Sequence, residues 1–263
     1  MYTDLDQLPS ALAEFEKIQQ HLSGKQLAIF LDYDGTLTPI VAHPEEARLH
    51  SSMRQILQQL ASKYAVAIIS GRDLQDIKQL VGIENIYYAG SHGFDTAGPK
   101  GLKCELPDAD QALPLLQNAE QDIQKAVKGI EGAQVERKKF SLAIHYRNVK
   151  SSEKSAVKNK LEKLCSTYKG LKLVHGKEVF DLRPDVDWHK GKALLWLKER
   201  MSLEKPIFSF YLGDDTTDED AFEVLGDEGI GIAVCCELQK THASYQLKDT
   251  QEVEKFLKKI LAL

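Results

Sequence analysis

Apolar residues recur along the chain at two different spacings. Leu8, Leu12, Phe15, Ile18 and Leu22 share one face at helical period and predict an opening helix. Leu27 to Leu31 is instead a short unbroken apolar run, the pattern of a strand buried on both faces of a parallel sheet, and it stops at Asp32-Tyr-Asp-Gly-Thr36. The same design returns: a helix opened by Ser51 or Ser52 and carried by Met53, Ile56, Leu57 and Leu60 leads to the run Tyr64 to Ile69, which ends at Ser70-Gly71-Arg72. Far along the chain Ile207 to Leu212 stops at Gly213-Asp214-Asp215, and Ile230 to Val234 follows the next helix. Strand, polar tip, helix is the rhythm of an α/β doubly wound parallel sheet, in which ligands sit at the carboxyl ends of the strands.

The middle of the chain has another rhythm. Residues 112–128 predict a helix, Gln134 to Lys138 and Ser141 to Arg147 the strands of a hairpin, and Ser151 to Tyr168 a lysine-rich amphipathic helix. Leu171 to His175 and Glu178 to Arg183 flank the turn His175-Gly176-Lys177 as a second hairpin. This is an α+β unit, so a smaller domain over 103–185 is expected to be inserted into a core made of 1–102 and 186–263.

Composition narrows the function classes. With 43% hydrophobic and 28% charged residues over 263 positions, the chain is an ordinary globular protein, and no apolar run approaches the roughly 18 residues of a membrane span. The opening MYTDLDQLPS has neither the basic nor the apolar region of a secretory signal, so a cytoplasmic location is expected. Cys104, Cys165, Cys235 and Cys236 form no C-x-x-C pair and read as small buried side chains rather than disulfides or zinc ligands. Residues 103–184 carry a net charge of +5 and the remainder −10. That balance is no nucleic-acid footprint, but it suits a small anionic ligand.

The candidate chemistry sits on the strand tips. Asp32 ends a rigid strand and precedes Gly35, which lets backbone approach a ligand, so it is placed to attack phosphorus as a covalent nucleophile. Asp34, two residues on, is the candidate general acid and base. Two carboxylates and a phosphoryl group repel one another, so a hard dication with oxygen ligands, Mg²⁺, is expected. Asp218 and Glu219 also suit a helix N-terminus, and Lys192 competes with Lys190 as the phosphate-binding cation.

These motifs, in this order, resemble the haloacid dehalogenase superfamily of phosphatases: Asp32-Tyr-Asp-Gly-Thr36, Ser70 after a buried strand, Lys190 in His189-Lys-Gly-Lys-Ala193, and Gly213-Asp-Asp-Thr-Thr-Asp218. The resemblance implies Asp32 as nucleophile and metal ligand, Asp34 as acid/base that also offers its carbonyl to the metal, and Asp214 with Asp218 as the remaining metal set. It further implies Ser70 and Lys190 as donors to the phosphoryl oxygens.

Within that superfamily the inserted unit and the stretches Leu31 to Pro39, Ser70-Gly-Arg72, Gly90-Ser-His-Gly93, Glu136-Arg-Lys138, Ser141 to Arg147, Gly176 to Pro184 and Gly213 to Phe222 resemble the trehalose-6-phosphate phosphatases. Such a relationship implies hydrolysis of trehalose 6-phosphate, with Glu136, Lys138, Arg147, Lys177 and Asp181 holding the distal glucose, Arg72 and His92 lining the floor, and His145 and Tyr146 left to packing. The period of two also places Lys177, Val179, Asp181 and Arg183 on one strand face. Asp181 stands where the family usually has glutamate, which shortens that contact by one methylene. The length leaves no room for a fused glycosyltransferase domain, so a stand-alone enzyme is expected, and nothing sets its oligomeric state, a monomer being sufficient. The partner is a small sugar phosphate, with neither nucleic acid nor membrane. Alternatives are a phosphatase of sucrose 6-phosphate or mannosyl-phosphoglycerate, a phosphomutase, and a non-catalytic regulatory subunit.

Overall fold

The computed structural model describes residues 2–41, 43–176, 178–201, 206–234 and 240–263. The chain divides into two compact units, Met1–Cys104 with Trp188–Leu263, and Glu105–Asp187.

The first unit is built on an eight-stranded sheet. Its order from one edge is Tyr245–Leu247, Gly229–Val234, Ile207–Gly213, Gln26–Leu31, Ala65–Ile69, Tyr87–Gly90, Asp95–Ala97 and Lys103–Glu105. The first six run parallel, and Asp95–Ala97 turns antiparallel to its neighbour. From Gln26–Leu31 the chain winds outward one way, then returns to place Ile207–Gly213 on the other side, so the strand order reverses at that central pair.

Alternation along each strand feeds two apolar layers. Ile29, Leu31, Phe210 and Leu212 pack on one face against the helices Ser51–Lys63 and Thr250–Leu261, through Leu57, Leu60, Phe256 and Ile260. Ala28, Phe30, Ala67 and Tyr211 pack on the other against Lys190–Arg200 and Glu219–Leu225. The parallel strands therefore read as unbroken apolar runs because both faces are covered.

The opening helix differs from the sequence expectation. Regular helix is confined to Phe15–Gln20, after a 3-10 turn over Leu5–Gln7. Residues 9–11 instead bond to an edge strand: Ala11 N–H donates to Gln246 O at 3.0 Å, and Gln246 N–H to Pro9 O at 3.0 Å. Leu8 and Phe15 thus belong to opposite faces of the sheet rather than to one helical stripe.

The second unit is an antiparallel sheet in the order Gln134–Arg137, Leu142–His145, Val179–Pro184, Leu171–Gly176. Leu142, Ile144, Phe180 and Leu182 face the helices Leu113–Val127 and Ser151–Cys165, meeting Leu116, Ile123, Val157 and Leu161. The other face carries the polar residues. Cys165 lies in this core, where burial pushes its thiol up to about 11, and Cys104 is partly buried. Cys235 and Cys236 fall outside the described residues, among which no helix is long and apolar enough to cross a membrane.

Phe210 sits fully buried with Phe208 and Phe256 edge-on at 5.8 and 5.6 Å. Phe210→Ala should therefore destabilise the protein by about 3–5 kcal/mol, read as a lower urea midpoint with an unchanged slope.

Candidate active site

The site grows from the carboxyl ends of the two central strands. Leu31 pairs with Leu212, so the next residues leave the sheet side by side, and Asp32 N–H donates to Leu212 O at 2.9 Å. Asp32 is buried, and Asp214 follows Gly213 on the neighbouring strand. After Asp32 the chain folds back at once: Leu37 and Thr38 N–H both donate to Tyr33 O, and Gly35 N–H to Thr38 O at 2.7 Å. Buried Tyr33 anchors this turn by donating its hydroxyl to Ala47 O at 2.8 Å. Gly35 has φ +83°, and a Cβ there would lie 2.0 Å from Asp214 Oδ2. Only glycine serves both the turn and the approach of that carboxylate.

Lys190, the first residue of the helix Lys190–Arg200, is only 3% exposed and reaches across the sheet end to Asp32 Oδ1 and Asp218 Oδ1, both at 2.7 Å. Fully buried Asp218 is the hub. Its Oδ1 also accepts the Tyr211 hydroxyl, and its Oδ2 accepts the backbone N–H groups of Asp214 and Asp215 at 3.0 Å each. The last contact completes a capping box with Asp215, so the helix-start role and the site role coincide in one side chain. Four donors fill the acceptor positions of a carboxylate. Asp218 therefore fixes Lys190 and the Asp214 loop, and leaves Asp32 and Asp214 as the groups with oxygen to offer a cation.

One oxygen from each of Asp32, Asp214 and Asp218 lies within 4.8 Å of the others. Burial first, then the neighbouring carboxylates, push Asp32 up to about 7 although Lys190 acts against the rise. Burial and the charges of Asp32 and Asp218 push Asp214 up to about 9. Burial works against Lys190, but Asp218 and Asp32 outweigh it and hold the ammonium above its usual range. Among the described residues the Asp214 carboxylate accepts no hydrogen bond. A half-buried acid without a donor beside a second acid is a donor set that suits a hard cation.

The third strand end brings in a second polar group. Ser70 follows Ile69 beside Leu31's strand and is buried, its Oγ accepting Arg72 N–H at 3.2 Å. The turn Ser91-His92-Gly93 has φ of +50°, +58° and +99°, and holds this loop through His92 N–H to Ser70 O at 2.8 Å and Ser91 N–H to Arg72 O at 2.7 Å. Left-handed backbone costs about 1–2 kcal/mol per ordinary residue, so the clamp is maintained against strain. The His92 ring lies against Gly71, where a Cβ would meet it at 2.9 Å. Arg72 does not lie free on the floor: its guanidinium grips Asp34 at two points, both at 2.7 Å.

In the second unit, Glu136 and Asp181 both pair with Ala143 across neighbouring strands, which puts them in one row on the polar face. Burial pushes Asp181 up, with Lys138 and a hydrogen bond from Ser141 acting the other way. His145 is on this face too, its Nε2 3.0 Å from Glu136 Oε2, which corrects the expectation that it packs; Tyr146 does pack, 5.0 Å from the Phe180 ring. Arg147 is largely exposed, its Nε 3.9 Å from Glu178 Oε2. Lys177 lies outside the described residues.

The model of the family described as trehalose-phosphatase matches residues 30–251, which takes in every strand end named above. The chain belongs to the trehalose-phosphatase family. Its curated relatives include trehalose 6-phosphate phosphatase RA3 of Zea mays, 38% identical over 97% of this chain and 75% of that protein. Trehalose-phosphate phosphatase B of Arabidopsis thaliana is 38% identical over 96% of this chain and 71% of its own length. Among solved structures, a trehalose-6-phosphate phosphatase related protein superposes with a TM-score of 0.77 at 26% identity, covering 89% of this chain and 97% of the other.

Within this family frame, sequence reasoning passed over Tyr211, whose apolar run disguises a hydroxyl aimed at Asp218, and over the Arg72–Asp34 pair. Only the Lys–Gly–Lys ambiguity was open to a local test: helix position puts residue 190, not 192, at the strand ends.

Two outcomes follow from this geometry. Gly35→Ala should abolish turnover with modest loss of stability, because the new methyl displaces Asp214; phosphate release and a melting curve check both halves. In chelator-treated protein, Asp32 and Asp214 have folded values above the ordinary carboxylate 3.8. Their contribution is therefore lost as pH rises from about 4 through 9, while Lys190 contributes a constant term over that window. Melting temperature should fall between pH 5 and pH 8, on the order of 5 °C, and a divalent cation should restore it more at pH 8 than at pH 5.

Proposed function

We propose that this chain hydrolyses trehalose 6-phosphate to trehalose and phosphate with Mg²⁺ as its cation. The observation that carries the reading is the buried Asp32–Lys190–Asp218 constellation, with Asp214 beside it, at the carboxyl edge of a trehalose-phosphatase family chain.

An Asp32 carboxylate oxygen attacks phosphorus, the bond from phosphorus to the sugar oxygen breaks, and that oxygen takes a proton from Asp34. A water then attacks the phosphoaspartate and gives its proton to Asp34, and the bond between phosphorus and Asp32 breaks to release phosphate. Lys190 and Ser70 donate to the phosphoryl oxygens, which gather charge as the reaction proceeds. Asp32 and Asp214, with the Asp34 carbonyl and Asp218 behind them, would hold the cation, which would supply charge to offset the carboxylate and phosphoryl repulsion. Glu136, Lys138 and Asp181, with Arg147 and Lys177, serve the sugar hydroxyls, because buried polar groups left unpaired penalise a wrong sugar. Asp181, shorter than the family's glutamate, reaches its hydroxyl less directly or through water.

Mg²⁺-dependent phosphate release from trehalose 6-phosphate, beside glucose 6-phosphate and sucrose 6-phosphate, tests the substrate. Asp32→Asn should remove activity on all three and leave the fold intact; residual turnover within about tenfold of wild type would exclude the covalent route. Glu136→Ala should lower kcat/KM for the disaccharide phosphate by about 10² and barely touch a small aryl phosphate.

A further inference from the structure

We propose that Arg72 is the positioning residue of Asp34, acting through that carboxylate rather than by touching the sugar. The inference rests on the proposed reading in which Asp34 is the acid and base of phosphoryl transfer. Arg72 Nε meets Asp34 Oδ2 and Nη2 meets Asp34 Oδ1, both at 2.7 Å. A two-point fork fixes the plane of a carboxylate as well as its direction, which a single hydrogen bond cannot do.

The cation is itself held from several sides. Its third nitrogen, Nη1, binds Asp76 Oδ2 at 3.0 Å, and the guanidinium lies over the Tyr33 ring at 5.5 Å. The Arg72 side chain is 11% exposed against 41% for Asp34, so a buried, fixed group aims a more exposed one. Backbone contacts fix its origin: Ser91 N–H donates to Arg72 O at 2.7 Å, and Ser91 Oγ to Asp73 Oδ1 at 2.9 Å. Asp34 stands on a reverse turn beyond the sheet, where nothing in the strand pattern orients its side chain; the fork supplies that orientation. With Nε, Nη1 and Nη2 all engaged by carboxylates, the guanidinium is committed to the protein itself.

The leaving group separates this role from sugar binding. A sugar oxygen must be protonated as it departs, whereas 4-nitrophenolate leaves without help. Hydrolysis of the phosphoaspartate, which also uses Asp34, is common to both substrates, so a defect in Asp34 as acid shows in the first step, as slower release of the sugar and not of 4-nitrophenolate. Arg72→Gln and Arg72→Lys, each alone and combined with Asp34→Asn, are assayed in single turnover with enzyme in excess, for the rate and the half-saturating concentration of trehalose release from trehalose 6-phosphate and of 4-nitrophenolate release from 4-nitrophenyl phosphate. Arg72→Gln should lower the saturating rate of trehalose release by about 10 to 10² and change the rate of 4-nitrophenolate release less than about threefold. Arg72→Lys, which keeps charge but loses the fork, should restore the rate in part. In the Asp34→Asn background neither substitution should slow the enzyme further.

Retained first-step release of 4-nitrophenolate is the evidence that each variant is folded. Equal losses of first-step release on both substrates, a rise in the half-saturating concentration alone, or additive losses with Asp34→Asn would overturn the proposal. If Asp34→Asn itself shows no leaving-group dependence, the acid/base reading fails and the proposal with it. If Asp34→Asn behaves as expected and Arg72→Gln does not follow it, the positioning role alone is wrong.

Discussion

The ammonium of Lys190 lies buried between the carboxylates of Asp32 and Asp218, and the first unit is arranged around that contact. Buried charges are costly to desolvate and persist only when paired and fully hydrogen-bonded. Here each participant is met from a separate element: Asp32 from one strand end, Tyr211 from the next strand, Lys190 and Asp218 from helix starts, and the Asp214 and Asp215 N–H groups from the loop between. Removing any one leaves another buried group without its partner. Gly213 belongs to the same constraint, since a Cβ there would meet the Asp218 carboxyl carbon at 2.3 Å.

The pairing is incomplete by design. One lysine faces three aspartates, and burial together with the excess negative charge pushes Asp32 and Asp214 up. Such a site stays under electrostatic stress until a cation shares it. Lys190 engages one oxygen of Asp32 and is shared with Asp218, so its contact leaves the second Asp32 oxygen to the reaction. Rigidity differs across the site for a related reason. Asp32 stands on a strand tip locked by sheet pairing and Asp214 just past one, its N–H held by Asp218, whereas Asp34 projects from a turn and depends on the Arg72 fork for its direction.

The second unit solves a different problem with the same alternation. Phe180 and Leu182 are committed to its core, so Asp181 must face the other way, and the ladder carries Glu136 into the same row. The helices cover one sheet face and leave the other to polar groups, which is why acidic, basic and imidazole side chains collect there without a separate motif.

Much of this was legible in the sequence because it is local. A run such as Leu27 to Leu31 ended by Asp32 can hardly be anything but a strand buried on both faces, and its polar tip must stand at the sheet's edge. The period of two fixed the face of Asp181, and the glycine after Asp34 marked a close approach to the backbone. What the chain pattern left open are partnerships over distance. The opening stripe from Leu8 to Leu22 looked helical, yet Gln246 claims the backbone of residues 9–11. Arg72 and Asp34 stand 38 residues apart and Lys190 and Asp32 158 apart, and no periodicity encodes which cation meets which acid. Tyr211 sat unmarked in an apolar run and His145 read as packing; only the folded neighbours give their polar ends a role. Local sequence decides which element forms and which face it shows, but the pairing of buried charges depends on elements brought together by folding, so the tertiary structure alone decided it.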